Sequence, residues 1–256
     1  MAGKVLVITG AGGGLGSLIA SAEAGNFSEI ALVGRRHESL SASAKRAGKA
    51  GTAKFHILPC DVTDENGLRD ALSPFEAIDG LVNAAAVLGP VARFAECEFG
   101  AWKRAVEIDL IGSAAACRFA LPGLLKSRRG KIVNFSGGGA AGARGWHSAY
   151  AASKAAIVRL TETLAEEYPS LDINAIAPGA HKTGIWESET HDKKPEKWAD
   201  RGRFCSTVSF LLSGKSDGIS GKLIHIYDKW EAFSQKITGS DIYTLRRIEH
   251  VSKKRG

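Results

Sequence analysis

The chain has 256 residues, 44% hydrophobic and 24% charged, with 30 Gly and 7 Pro. That is enough to bury one large core, and the make-up is globular rather than disordered or collagen-like. The formal net charge is +7, but Arg246, Arg247, Lys253, Lys254 and Arg255 face only Glu249 in the closing stretch, which leaves the body nearly balanced and argues against a nucleic-acid-binding face.

The first apolar run, Lys4–Thr9, reads as a strand, and Thr9-Gly10-Ala11-Gly12-Gly13-Gly14-Leu15-Gly16 follows it into a helix over about 15–25. Strand, glycine turn and helix together make a nucleotide site: the glycines let the backbone approach a pyrophosphate, and the helix N-terminus offers free N–H groups. Val5 to Ala22 is uncharged, yet five glycines interrupt it, so it is neither a membrane span nor a signal segment. Strands at Glu29–Val33 and Lys54–Leu58 flank a helix over 37–49. Gly80–Asn83 follows a helix over 64–73, for which Asp64 is the expected N-cap. An Ala-rich helix is predicted over 99–121, then a strand, Lys131–Phe135, running into Asn134-Phe135-Ser136-Gly137-Gly138-Gly139.

The helix over 148–168, with Ser148 as its expected N-cap, carries Tyr150 and Lys154, four apart and therefore on one face. After the strand Asp172–Ala177 come Pro178-Gly179-Ala180-His181-Lys182-Thr183 and a polar segment, Gly184–Asp200, read as a mobile lid. Its Trp186, Glu187, Glu189, His191, Lys193 and Lys194 suit either a polar substrate or solvent. Gly214-Lys215-Ser216-Asp217-Gly218 fits G-x-S-x-G, but it follows a helix over 204–213 and precedes the strand Lys222–Ile226, the reverse of what a nucleophile elbow needs. Cys60, Cys97, Cys117 and Cys205 form no C-x-x-C pair, which points to reduced thiols and a cytoplasmic setting, and no His/Cys spacing calls for a metal. The near-continuously apolar strands alternating with helices predict an α/β protein with a doubly wound parallel sheet in a three-layer sandwich. One domain spans 1–256, with 229–256 as a C-terminal extension.

The glycine turn, Cys60-Asp61-Val62, Asn83-Ala84-Ala85-Ala86, Tyr150-Ala151-Ala152-Ser153-Lys154 and the Pro178–Thr183 segment, in this order and spacing, resemble the single-domain short-chain dehydrogenases/reductases over about residues 4–228. The resemblance implies a Rossmann-like sheet of about seven strands, a small-molecule substrate, a nicotinamide cofactor and a homodimer or homotetramer. Gly10, Gly12, Gly13, Gly14, Leu15 and Gly16 would hold the pyrophosphate, and Asp61 and Val62 the adenine. Asn83, Ala84 and Ala85 would line the ribose, and Pro178, Gly179, His181 and Thr183 the nicotinamide. Tyr150 would be the acid or base, while Lys154 would favour its phenolate and hold the ribose. Gly34-Arg35-Arg36 offers guanidinium groups and no acid, so NADP(H) is expected over NAD(H).

Two positions depart from the family. The substrate-orienting Ser, 13 residues before the Tyr, is Gly137, and Ser136 sits one residue early, where a strand points side chains to the other face. Asp109 stands where an Asn is usual; it can keep the acceptor role, with a charge near Lys154. The expected enzyme is thus one that orients its substrate through Ser136, His147 or the lid, and a cofactor-binding module with little turnover is the alternative. The tail through Tyr243-Thr244-Leu245-Arg246-Arg247 resembles a bacterial subgroup met among glycan-assembly enzymes, implying a sugar-like substrate.

Overall fold

Seven apolar segments pair into one parallel sheet in the computed structural model, which describes residues 3–246. The strands are β1 (Val5–Thr9), β2 (Glu29–Gly34), β3 (Lys54–Pro59), β4 (Gly80–Asn83), β5 (Lys131–Phe135), β6 (Asp172–Ala177) and β7 (Leu223–His225), arranged β3-β2-β1-β4-β5-β6-β7. The helices are α1 (Gly14–Glu23), α2 (His37–Ala47), α3 (Glu65–Leu72), α4 (Phe99–Val106), α5 (Gly112–Leu124), α6 (Ser148–Glu167) and α7 (Arg201–Leu212).

Both faces of the sheet are covered because side chains alternate along each strand. Leu6 and Ile8 of β1 pack with Ile19, Leu40, Phe204 and Val208 of α1, α2 and α7. Val7 points the other way, among Leu68 of α3 and Ala116 and Leu124 of α5. The result is the expected three-layer doubly wound fold. Strand order reverses between β1 and β4, and Thr9 at the end of β1 lies opposite both Val33 and Asn83. Successive crossovers leave that point to opposite sides and open a crevice at the strand ends.

Two helical expectations need correction. The single helix over 99–121 is α4 and α5 joined by a π-helical turn, Glu107–Ile111, in which the Gly112 N–H bonds back to Glu107 O. The second half also runs past Pro122 to Leu124, where tertiary packing overrides the proline: Gly123 is pressed against Ile78, whose N–H donates to Gly123 O at 3.1 Å. Asp64 caps α3 by accepting from Gly67 N at 3.0 Å, as expected. Ser148 does not cap α6. His147 occupies that position, and the Ser148 hydroxyl accepts from Trp102 Nε1 at 3.1 Å. Among the described residues no helix is long and apolar enough to cross a membrane.

Candidate active site

At the crevice the glycine turn is fixed by contact with β4. Gly10 has φ +66°, and a Cβ there would lie 2.6 Å from Ala85 N; one on Gly16 would lie 2.5 Å from Gly10 O. Neither position accepts a side chain without moving backbone. Gly13 differs, since nothing lies within 4 Å of where its Cβ would be. This open space adjoins the start of α1, which has no side-chain cap and no acid in its first turn, so its amides are free for an anion. The cavity here, ≈ 380 Å³, is bounded by Gly10, Gly13, Gly14 and Leu15 on one side and by Tyr150 and Lys154 on the other. Free amides, room and a nearby cation suit a dinucleotide.

The remaining expected cofactor residues divide. Arg36 lines the cavity, whereas Arg35 is exposed outside it. Ala84, Ala85, Pro178, Gly179, His181 and Thr183 also line it. Gly12 sits where a Cβ would lie 3.0 Å from Ser39. Asp61 is already engaged, accepting from Thr63 N at 3.0 Å and from Arg104 at 2.8 Å. Burial opposes its charge, but the Thr63 bonds and the Arg104 and Arg35 charges outweigh that and hold the carboxyl below its ordinary range. Val62 is buried against Gly112 of α5. Asn83 does not line the cavity with its side chain. That side chain is buried and donates to Asn134 Oδ1 at 2.9 Å while accepting from Thr9, so it ties β1, β4 and β5 together. His181 is buried with Nε2 donating to Pro178 O at 2.9 Å, and burial lowers its pKa, which keeps the ring neutral.

The chemistry-bearing pair closes the other end. Lys154 is buried, with Nζ donating to Phe135 O at 3.2 Å, 3.5 Å from Asp109 Oδ2 and 5.3 Å from the centre of the Tyr150 ring. Asp109 is fully buried rather than on a helix surface, because the π turn carries it inward. Its Oδ1 accepts from Val87 N at 2.8 Å, and Ser113 donates to its backbone carbonyl at 2.8 Å. Burial pushes the Asp109 carboxyl above the usual carboxylate range, opposed by the Lys154 charge and the Val87 bond.

A Cβ on Gly137 would lie 2.7 Å from the Tyr150 hydroxyl, so position 137 faces the phenol and offers it nothing. The two substitutes expected from sequence are otherwise occupied. Ser136 is buried and donates to the Lys154 carbonyl at 3.1 Å. His147 is buried between two acceptors, Gly145 O at 2.7 Å from Nδ1 and Glu189 Oε2 at 2.9 Å from Nε2. Both of its nitrogens are thereby engaged.

Beyond Tyr150 the crevice widens into a cavity of ≈ 890 Å³ walled by the 137–144 loop, the lid and Tyr243 and Thr244 of the C-terminal extension. The lid is pinned at a few side chains, while Glu187, His191, Lys193 and Lys194 are exposed to solvent. Arg144 donates from Nε to Asp192 at 2.9 Å and from Nη2 to Glu189 at 2.8 Å, and Trp186 meets Trp198 edge to face. Glu189 is pushed up by burial, but the Asp192 and His191 amides and His147 outweigh this and hold its carboxyl below the ordinary value. Ligand atoms of His147, Glu189 and Asp192 lie within 4.8 Å of one another. The Arg144 guanidinium already bridges the two carboxylates and supplies the positive charge there. Sequence reasoning missed Arg144 and Asp192 because 48 residues separate them and no local spacing links them. The extension is held along β7 by Leu223 N donating to Tyr243 O at 2.8 Å; 247–256, with most of the basic tail, lie outside the described residues. Ser216 is buried, with its hydroxyl on Leu211 O at 3.0 Å, and offers no exposed nucleophile.

Comparison with known proteins agrees with this geometry. A family model described as short chain dehydrogenase matches residues 4–194. The 2-(S)-hydroxypropyl-CoM dehydrogenase 3 of Xanthobacter autotrophicus is 32% identical over 240 residues, covering 85% of this chain and 92% of the relative. Levodione reductase superposes with TM-score 0.81 at 27% identity, covering 89% of this chain and 97% of the other. A short chain dehydrogenase of Escherichia coli CFT073 solved with NADPH superposes with TM-score 0.77 at 25% identity, covering 88% and 97%.

Proposed function

The chain belongs to the short chain dehydrogenase family, and we infer that within this family of NAD(P)-dependent oxidoreductases it uses NADP(H) to interconvert a carbonyl and an alcohol on a polar, sugar-like substrate. The observation that carries this reading is the position of Tyr150 and Lys154 on the boundary between the ≈ 380 Å³ crevice and the ≈ 890 Å³ cavity, lining the first with both side chains and the second with Tyr150.

A nicotinamide bound in the crevice would supply or accept hydride. The residues do the rest. The α1 amides and Gly13 would hold the pyrophosphate, and Arg36, with Arg35 beside it, would meet a ribose phosphate. Lys154 would hold a ribose hydroxyl and keep positive charge beside the phenol. Tyr150 would give its proton to the oxygen of a ketone being reduced, or remove one from an alcohol being oxidised. NADPH in the Escherichia coli relative supports the cofactor choice. Arg144, His225 and Asp228 on the cavity wall support the substrate class.

The test is a panel of keto-sugars, hydroxyketones and simple diketones followed by NADPH absorbance, with NADPH and NADH binding titrated separately. Turnover of polar ketones with NADPH is expected. Tight NADPH binding with no turnover on any member would favour the second reading, a binding module, which the bare Gly137 beside Tyr150 favours. A homo-oligomer in a reducing, cytoplasmic setting completes the proposal. Phe99 and Ile111 are exposed on the α4–α5 arm, and the described cysteines are unpaired, with burial and neighbouring carboxylates raising Cys60 to about 11 and burial raising Cys117 to about 12. Sedimentation at micromolar protein should show a dimer or tetramer.

A further inference from the structure

We propose that Arg144 is the group that orients and polarises the substrate oxygen, through Nη1, in place of the hydroxyl that position 137 lacks. This rests on the carbonyl-reduction reading above.

Four observations converge on it. Gly137 faces the Tyr150 hydroxyl with no donor of its own, while Ser136 and His147 spend theirs on Lys154 O, Gly145 O and Glu189. Arg144 shares the cavity wall with Tyr150, its guanidinium carbon 5.8 Å from the centre of the Tyr150 ring. Two of its three nitrogens are committed, Nε to Asp192 and Nη2 to Asp192 and Glu189. Nη1 has no partner among the described residues and lies 3.7 Å from where a Cβ of Gly138 would be, on the stretch that also bears Gly137.

The lid carboxylates therefore act as a clamp. They fix the plane of the guanidinium before substrate arrives, so its ordering cost is met in folding and not in the reaction, which is the condition for a strong preorganised donor. Glu189 and Asp192 also place their carboxylates on the Arg144 guanidinium, so its charge is met by partners of opposite sign. In reduction, a C–H bond would form at the carbonyl carbon with the hydride given up by a C–H bond of NADPH, which is thereby oxidised, and the C=O π pair moves onto oxygen. That oxygen takes the Tyr150 proton as the O–H of Tyr150 breaks. Arg144 keeps all its protons and stabilises the negative charge in passing. The lid thereby becomes part of the catalytic apparatus through the Arg144 side chain that it holds.

The test uses the full chain with NADPH and 2,3-butanedione, or the best substrate from the panel above. Arg144→Ala should lower kcat/KM by about a hundredfold or more with NADPH affinity unchanged, the loss expected for one oxyanion donor. Methylguanidinium in solution should return activity to that variant, since it refills the place of the lost donor without rebuilding the clamp. In wild type, Gly137→Ser should bring no gain, since it crowds Tyr150. The proposal is overturned if Arg144→Ala turns over like wild type, or if methylguanidinium does not restore the lost rate, which would make Arg144 only a strut for the lid. A wild type that binds NADPH but reduces nothing fails at the earlier step, taking the carbonyl-reduction reading and the proposal with it.

Discussion

The cofactor crevice is made by backbone, and the cavity beside it by side chains that reach across the chain. In the crevice the decisive facts are a positive φ at Gly10, a 2.5 Å approach at Gly16 and uncapped amides at the start of α1, all within one short stretch. In the cavity they are side-chain contacts joining Arg144 and His147 to Glu189 and Asp192 over more than 40 residues. A dinucleotide has fixed chemistry, so a fixed turn serves it. Substrates vary, and a wall of paired side chains on loops can change without disturbing the sheet.

The largest effect should come where the two halves meet. Lys154→Ala removes the cation beside Tyr150 and a ribose hydrogen bond together, so turnover should fall by about a thousandfold and NADPH affinity should fall as well. Rates and fluorescence titration on the same preparation check this; unchanged affinity would confine Lys154 to the chemical half. Next, Arg36→Ala should weaken NADPH by about ten- to a hundredfold and leave NADH nearly unaffected, because a charge-assisted hydrogen bond to phosphate is worth about 1.5–3 kcal/mol. Arg35→Ala should do less, since Arg35 lies outside the cavity. Equal losses for both nucleotides would remove the basis for NADP(H) preference.

Two glycines sharpen the backbone side of the comparison. Gly16→Ala should destabilise the fold by about 1–3 kcal/mol, since its methyl meets Gly10 O. Gly13→Ala should leave melting unchanged yet weaken NADPH binding by about tenfold, the worth of about one neutral hydrogen bond to the pyrophosphate. Denaturant melts and titrations separate the two; weakened melting in Gly13→Ala would mean that the open space is needed for folding and not for ligand.

The smallest effect concerns the side-chain half and pH. Glu189 is held below its ordinary value of 4.5, so its native form releases the proton more readily than the unfolded chain does. Its contribution to stability is complete above that value and is lost as pH falls through the lower native one. Wild type should therefore lose a few degrees of melting temperature below about pH 4.5 that Glu189→Gln, already weaker at neutral pH, does not lose. Parallel curves for the two proteins would show that the lid is not pinned through this carboxylate.

The same contrast explains what is legible in the sequence. The seven strands, the crevice and the Tyr150/Lys154 pair are readable because each follows from local periodicity or spacing. Strand parity speaks against Ser136, yet the sequence still offers it as a substitute donor, and its hydroxyl is spent on the Lys154 carbonyl. The break between α4 and α5 is not readable, since a π turn leaves the helical pattern intact, and so the inward position of Asp109 is hidden too. Asn83 reads from sequence as a ribose residue, whereas its amide is used to tie three strands. Arg144 and the lid carboxylates carry no motif; only folding brings them together.

The central claim is that Tyr150 is the proton donor of a site whose cofactor half stands without it. NADPH consumption across the ketone panel by wild type and Tyr150→Phe, with NADPH binding measured on both, tests it directly. The expected result is a loss of at least about a hundredfold in turnover with cofactor affinity unchanged. A Tyr150→Phe protein that keeps most of the wild-type rate would contradict the account and require another donor at the junction of crevice and cavity.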